Sequence, residues 1–222
     1  VASYEYLHKM AALADSFGYQ VNTHCIGDSA NRLMLNIYGD ILKSKNDKRW
    51  RIEHSQVIHP DDFNLFGDYS IVPSIQTTHA TSDMYWADDR LGHKRLKGAY
   101  AYKQLLDQLG WIPLGTDFPV EKIDPILTFY ASTVRKDLNA FPSEGFQMEN
   151  ALSRVESLKG MTIWAAKAAF EEDKKGSIEV GKFADFTVLN QDIMECAEDE
   201  IPKTKIRYTV VGGKIVYEKA QK

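Results

Sequence analysis

Val21-Asn22-Thr23-His24-Cys25-Ile26-Gly27-Asp28 is a short β-rich run that ends in a histidine and passes into turn and helix-starting residues. Two later runs share that grammar. Arg51-Ile52-Glu53-His54-Ser55 ends in a second histidine, and Trp111-Ile112-Pro113-Leu114-Gly115-Thr116-Asp117-Phe118-Pro119-Val120 carries an aspartate in the same place. His24, His54 and Asp117 stand 30 and 63 residues apart, about one and two strand-helix units. In a parallel β/α arrangement such spacings bring strand C-termini to one face, where chemistry collects.

Periodicity around these runs supports that arrangement. Residues 3–17 read as a helix closed by Gly18, and Asp28 opens another carrying Leu33, Met34, Ile37, Ile41 and Leu42 at helical spacing. Strands are expected at 20–23, 49–53, 70–75 and 111–115. Helices are expected after His59-Pro60-Asp61-Asp62, over 95–109 and from Pro125 to Leu138. Ser153-Arg154-Val155-Glu156 has the capping-box pattern and predicts a helix running to Phe170. Residues 76–94 fit neither period and read as a long irregular connection. After Gly176 the pattern turns to strands, at 184–189 and in a 206–217 hairpin through Gly212-Gly213. Alternating strands and helices argue for an α/β chain with a parallel sheet. Four such units are too few to close an eight-stranded barrel, so the pattern fits a small open sheet or half of a barrel.

Composition bounds the function. The 222 residues are 44% hydrophobic and 26% charged with net charge −4, which argues against a nucleic-acid partner, since phosphate binding needs clustered Lys and Arg. Two cysteines, Cys25 and Cys196, give neither a disulfide framework nor a four-cysteine zinc site, which fits a reducing, cytoplasmic setting without excluding export. No apolar run is long enough to span a membrane. The chain begins at Val1 inside a helical pattern, so an upstream segment is expected.

Histidines and an aspartate at strand ends suit a divalent metal, because neutral imidazole ligates such ions and a carboxylate can both ligate and move protons. Any one of these residues alone reads more simply as a satisfied core or loop side chain. Three in the same position make a site. His79, Trp86 and Arg95 lie in or beside the irregular segment, where an aromatic and a cation could recognise a substrate ring or carboxylate. Asp28 is expected to cap its helix. Cys25 should face away from His24, as successive strand residues do. Gly176-x-x-x-x-Gly181-Lys182 mimics a phosphate loop, but Phe183 replaces the required hydroxyl residue and a strand follows instead of a helix.

Thr23-His24-Cys25-Ile26-Gly27-Asp28-Ser29-Ala30, Ile52-Glu53-His54-Ser55-Gln56 and Gly115-Thr116-Asp117-Phe118-Pro119-Val120 resemble the amidohydrolase superfamily. More narrowly they are similar to amidohydrolase family 3, the branch of YtcJ-like and N-substituted formamide deformylase proteins. The passage from Gly176 to Leu189 is similar to that family's entry into its β-sandwich. The resemblance implies the C-terminal half, strands 5–8, of a distorted (β/α)8 TIM barrel over residues 1–175, with the C-terminal strands of a small β-sandwich over 176–222. His24, His54 and Asp117 would then end strands 5, 6 and 8. The histidines would bind a divalent metal, zinc in the first instance. Asp117 would ligate it and act catalytically, taking a proton from the activated water and returning it to the leaving group. His79, Trp86 and Arg95 would border a small-molecule amide or N-acyl substrate.

One departure shapes the expectation. The family's His-x-His pair is absent from these residues, as is its strand-4 ligand, so a complete site is not expected from this chain alone. The reading is therefore a metal-dependent hydrolase of non-peptide C–N bonds. Hydrolysis of a cyclic amide or ester, a deamination, or a non-catalytic scaffold remain the alternatives. A half-barrel standing alone would expose sheet edges, and a homodimer is expected to cover them.

Overall fold

The computed structural model describes residues 2–220. Helix α1 (Tyr4–Ser16) leads into strand β1 (Asn22–Cys25). Helix α2 (Asp28–Leu42) then connects to β2 (Arg51–His54), and α3 (Phe63–Asp68) to β3 (Val72–Ser74). The three strands form one parallel sheet in chain order, with His24 opposite Glu53 and Cys25 opposite His54. Parallel neighbours need a crossover, and the helices supply it.

Local sequence explains each piece. Met34, Leu35, Ile37, Tyr38 and Leu42 recur on one face of α2 and are buried. They join Trp50, Ile52, Phe66, Ile71 and Ile75 in a core where Trp50 meets Tyr38 edge to face, ring centroids 4.9 Å apart. Burying each large apolar side chain contributes about 1.5–3 kcal/mol, so Trp50→Ala is the single change expected to cost this layer most, about 3–5 kcal/mol.

The expected fourth strand is reduced to one parallel bridge, Ile75 to Leu114. Pro113 has no N–H for the ladder. Its carbonyl accepts from Ile75 N, and Leu114 N turns to Gly160 O. Residues 76–94, expected to be irregular, instead form α4 (Thr78–Asp83) and much of α5 (Ala87–Leu96), followed by α6 (Tyr102–Leu109). Helix α4 buries Thr78, His79 and Ala80, so packing outweighs a composition that reads as turn. The single helix expected over 95–109 is divided at Gly98, where an added Cβ would collide with the Ile58 carbonyl oxygen.

Helix α7 (Pro125–Val134) starts with Pro in its first turn and an Asp124 side-chain cap. Helix α8 (Arg154–Met161) begins with the expected capping box, and Thr162 breaks it from α9 (Ile163–Ala168). Strands β4 (Phe186–Leu189), β5 (Ile206–Val211) and β6 (Lys214–Glu218) make a separate antiparallel sheet. Its Ile215, Val216 and Tyr217 are exposed, as are Ile178, Val180 and Phe183 just before it. The whole exposes 12199 Å², against about 10,300 Å² for a compact monomer of this mass. Among the described residues no helix is long and apolar enough to cross a membrane.

Candidate functional site

The ends of β1 and β2 and the turn after Leu114 converge. Strand β1 puts Cys25 into the core and leaves His24 exposed on the other side, the alternation expected of a strand. Burial pushes the Cys25 thiol up to about 12, so it stays protonated and inert.

Register alone would put His54 on the face of Cys25, away from His24. The rings nevertheless lie 4.5 Å apart, edge to face. The backbone supplies the reason: His54 has φ 75° and its successor Ser55 φ 43°, so the chain leaves the strand in left-handed conformation at the histidine itself. Left-handed non-glycine residues are uncommon and cluster at functional sites. Asp117 shares the feature, with φ 58°, and its carbonyl closes the next turn by accepting from Val120 N at 2.8 Å.

His79, on α4, completes the group. Its Nε2 lies 3.2 Å from Asp117 Oδ2 and its Nδ1 3.3 Å from Glu121 Oε1. One ligand atom each from His54, His79 and Asp117 lie within 4.8 Å of one another. His24 adds an imidazole against His54 from the exposed side. Burial first, and then the charge of His24, hold the His54 imidazole below its ordinary value, which keeps it neutral and able to ligate. Its Nδ1 is buried without a hydrogen-bond partner among the described residues. A neutral, buried imidazole with an open nitrogen, beside a carboxylate and further imidazoles, fits a divalent metal.

The other expected site residues fall differently. Arg95 donates from Nε and Nη2 to Asp28 at 2.9 and 3.0 Å, so its guanidinium already holds a carboxylate of this chain. That pairing holds the Asp28 carboxyl below the usual range. Nor does Asp28 cap α2: Gly27 occupies the cap position and Asp28 the first helical turn. Trp86 is 46% exposed at the start of α5, its indole open to solvent.

Two carboxylates near the cluster escaped the sequence reading. Glu121 lies four residues after Asp117, and Ser82 Oγ donates to its Oε1 at 2.6 Å. Asp83 lies one helical turn after His79 and accepts from Tyr100 Oη at 2.9 Å and Gln56 Nε2 at 3.1 Å. Burial raises the Asp83 carboxyl above its usual range. The signal available was spacing, since each acid stands four residues from a residue of the cluster.

The chain matches the model of the amidohydrolase family over residues 1–217. It is 34% identical over 220 residues to Protein LONG AFTER FAR-RED 3 of Arabidopsis thaliana, covering 96% of this chain and 36% of that one. It is 31% identical over 216 residues to the putative amidohydrolase YtcJ of Bacillus subtilis (strain 168), covering 97% and 41%. Against the N-substituted formamide deformylase of Arthrobacter pascens the identity is 25% over 218 residues, covering 96% and 39%. The crystal structure of an uncharacterized metal-dependent hydrolase from Pyrococcus horikoshii OT3 superposes with a TM-score of 0.78 at 27% identity, over 89% of this chain and 39% of that one. The chain thus spans about two fifths of the length of the curated relatives it matches.

Proposed function

This chain belongs to the amidohydrolase family, and from that premise we propose that it carries part of the active site of a metal-dependent hydrolase acting on non-peptide C–N bonds, with N-substituted formamides or other N-acyl amines as substrates. The observation that carries the reading is the convergence of His54, His79 and Asp117, with His24 against His54, at strand ends and the turn beyond them. The relationship to a formamide deformylase supports the substrate class.

His24 and His54 would hold the ion, for which we propose zinc because imidazole and carboxylate donors suit it. When bound, a divalent ion lowers the pKa of water to about 7 and polarises a carbonyl. The Asp117 carboxylate would take the proton of the attacking water and deliver it to the departing nitrogen, the work of a general base that becomes a general acid. The left-handed turn at Asp117 aims that carboxylate toward His79 and His54. Trp86 is the residue we assign to the substrate, since its exposed ring remains free while Arg95 is held by Asp28.

We read residues 1–175 as four β/α units of a distorted barrel and 176–222 as strands of a sandwich. The remaining metal ligands would come from outside this set. The exposed apolar sheet supports a covering layer, and for these 222 residues alone we propose a homodimer, which light scattering checks.

The decisive test is metal analysis of the whole protein followed by a screen of N-formyl and N-acyl amines. Stoichiometric zinc and turnover of a formamide that His54→Asn abolishes would bear the proposal out. A metal-free protein inert on the whole panel would sink it.

A further inference from the structure

We propose that His79 is a positioning residue, a clamp that holds the Asp117 carboxylate in its working orientation from a helix that is itself tethered to Glu121 through Ser82. The inference rests on the reading of Asp117 as the proton carrier and adds to it the device that aims the carrier. A carboxylate has no proton to give, so across the 3.2 Å contact His79 Nε2 donates and Asp117 Oδ2 accepts. The ring's other nitrogen, Nδ1, lies 3.3 Å from Glu121 Oε1. Both nitrogens of the imidazole thus face carboxylates of one short turn, residues 117–121, and Nε2 makes the hydrogen bond.

That turn is closed on itself, with Val120 N and Glu121 N both donating to Asp117 O. Ser82, one turn along α4 from His79, donates to the same Glu121 oxygen at 2.6 Å. Helix α4 thus grips the turn twice, once through the ring and once through the hydroxyl. Thr77 Oγ1, just ahead of α4, donates to Thr128 O at 2.7 Å and fixes the helix against α7. The turn's own backbone bonds fix the carbonyl of Asp117 and leave its side chain unrestrained, so the carboxylate needs such an outside restraint to keep one orientation. His79 is itself buried, so the packing of α4 fixes the ring that holds the carboxylate.

The experiment uses the whole protein, N-benzylformamide as a simple N-substituted formamide, and zinc content as the second readout. His79→Asn shortens the side chain and removes the donor at the Nε2 position, whereas His79→Gln keeps an N–H at about that reach. The expected result is a fall in kcat of about 100-fold for His79→Asn, with KM within about threefold and zinc content unchanged. His79→Gln should recover about tenfold of that loss. Glu121→Ala should lower kcat on its own, and the double variant with His79→Asn should be no worse than His79→Asn alone, because both act along one path.

Loss of zinc in His79→Asn would make the residue a ligand and overturn the clamp. A raised KM with unchanged kcat would make it a substrate contact and overturn it equally, as would strictly additive effects of His79 and Glu121. Asp117→Asn separates the two layers of argument. If that variant keeps full activity, the underlying reading of Asp117 fails. If it is inactive while His79→Asn is unimpaired, only the clamp fails.

Discussion

His24 and His54 bring their rings to 4.5 Å although the sheet register assigns their side chains to opposite faces. The contact exists because His54 leaves β2 with φ 75°. A residue held in the left-handed region costs of order 1 kcal/mol, and the surrounding core of Trp50, Ile52 and Ile75 carries it. The consequence is a pair of imidazoles with different environments, His54 buried and His24 exposed.

That pairing gives the first prediction, for metal removal. A ligand that binds only the folded protein stabilises it by about 2.7 kcal/mol when present at 100 times its dissociation constant. Zinc should therefore raise the melting temperature of the whole protein, and a chelator should reverse the rise. In His54→Asn the zinc-dependent increment should shrink to near zero. Differential scanning calorimetry with and without zinc measures it, and an undiminished increment in the variant would exclude His54 as a ligand.

Asp117 gives the second. Asn adopts left-handed backbone nearly as readily as Asp, so Asp117→Asn should unfold within about 1 kcal/mol of the parent while losing about 10²–10⁴-fold in kcat. Asp117→Val puts a β-branched side chain at φ 58° and should lose stability as well. Urea denaturation of the two variants separates the backbone requirement from the chemical one. Equal stability of both would show that the turn imposes no conformational demand.

These two sites also show what the sequence made legible. The positions of His24 and His54 at strand ends follow from β-rich runs stopped by turn chemistry, a local property, whereas Asp117 sits in a turn because the strand expected before it shrinks to one bridge. The capping box at Ser153 and Glu156 is local too, and it forms as expected. The His79 to Asp117 contact spans 38 residues and exists only once α4 has folded over the turn. Helix α4 was itself hidden, because Thr77, Thr78, Thr81 and Ser82 read as turn residues until burial selects the helix. Arg95 looked free in sequence since Asp28, its partner, stands 67 residues away. Composition and period speak for neighbours along the chain. They are silent about which carboxylate a cation will meet across it.

Asn31 supplies the third prediction. It is fully buried, and its Nδ2 stands 3.0–3.2 Å from the carbonyls of Cys25, Ile26, Gly27 and Val57. One amide thus ties the loop after His24 to the chain after His54. Asn31→Asp would turn that donor into an oxygen facing four oxygens. The expected cost is at least about 3 kcal/mol, because a buried polar group would lose its partners and meet repulsion. Asn31→Leu should cost less than Asn31→Asp, since it removes the donor without adding charge. Chemical denaturation ranks them, and a milder effect for Asp would refute the assigned direction of these bonds.

Acid sensitivity provides the last. Arg49 is 8% exposed and reaches Asp47 at 2.8 Å and Glu172 at 2.7 Å, tying the entry to β2 to the segment after α9. Its hydrogen bonds hold both carboxyls below the usual range. A carboxyl depressed in the folded state contributes stability that is present above its unfolded pKa, about 4, and lost as pH falls through the depressed value. Replacing Arg49 with Met keeps most of the apolar stem and removes the donors. At pH 7 the Arg49→Met variant should be less stable by about 1–3 kcal/mol, the range for hydrogen bonds to charged groups. Asp47 is largely exposed, so its share of that loss is small and the Glu172 arm supplies most of it. Between about pH 4.5 and pH 3 the parent should lose stability more steeply than the variant, and the two curves should converge. Guanidinium titrations across that range test the sign. Parallel curves would mean that Arg49 acts through packing over Phe170, 4.2 Å from its guanidinium, and not through the carboxylates.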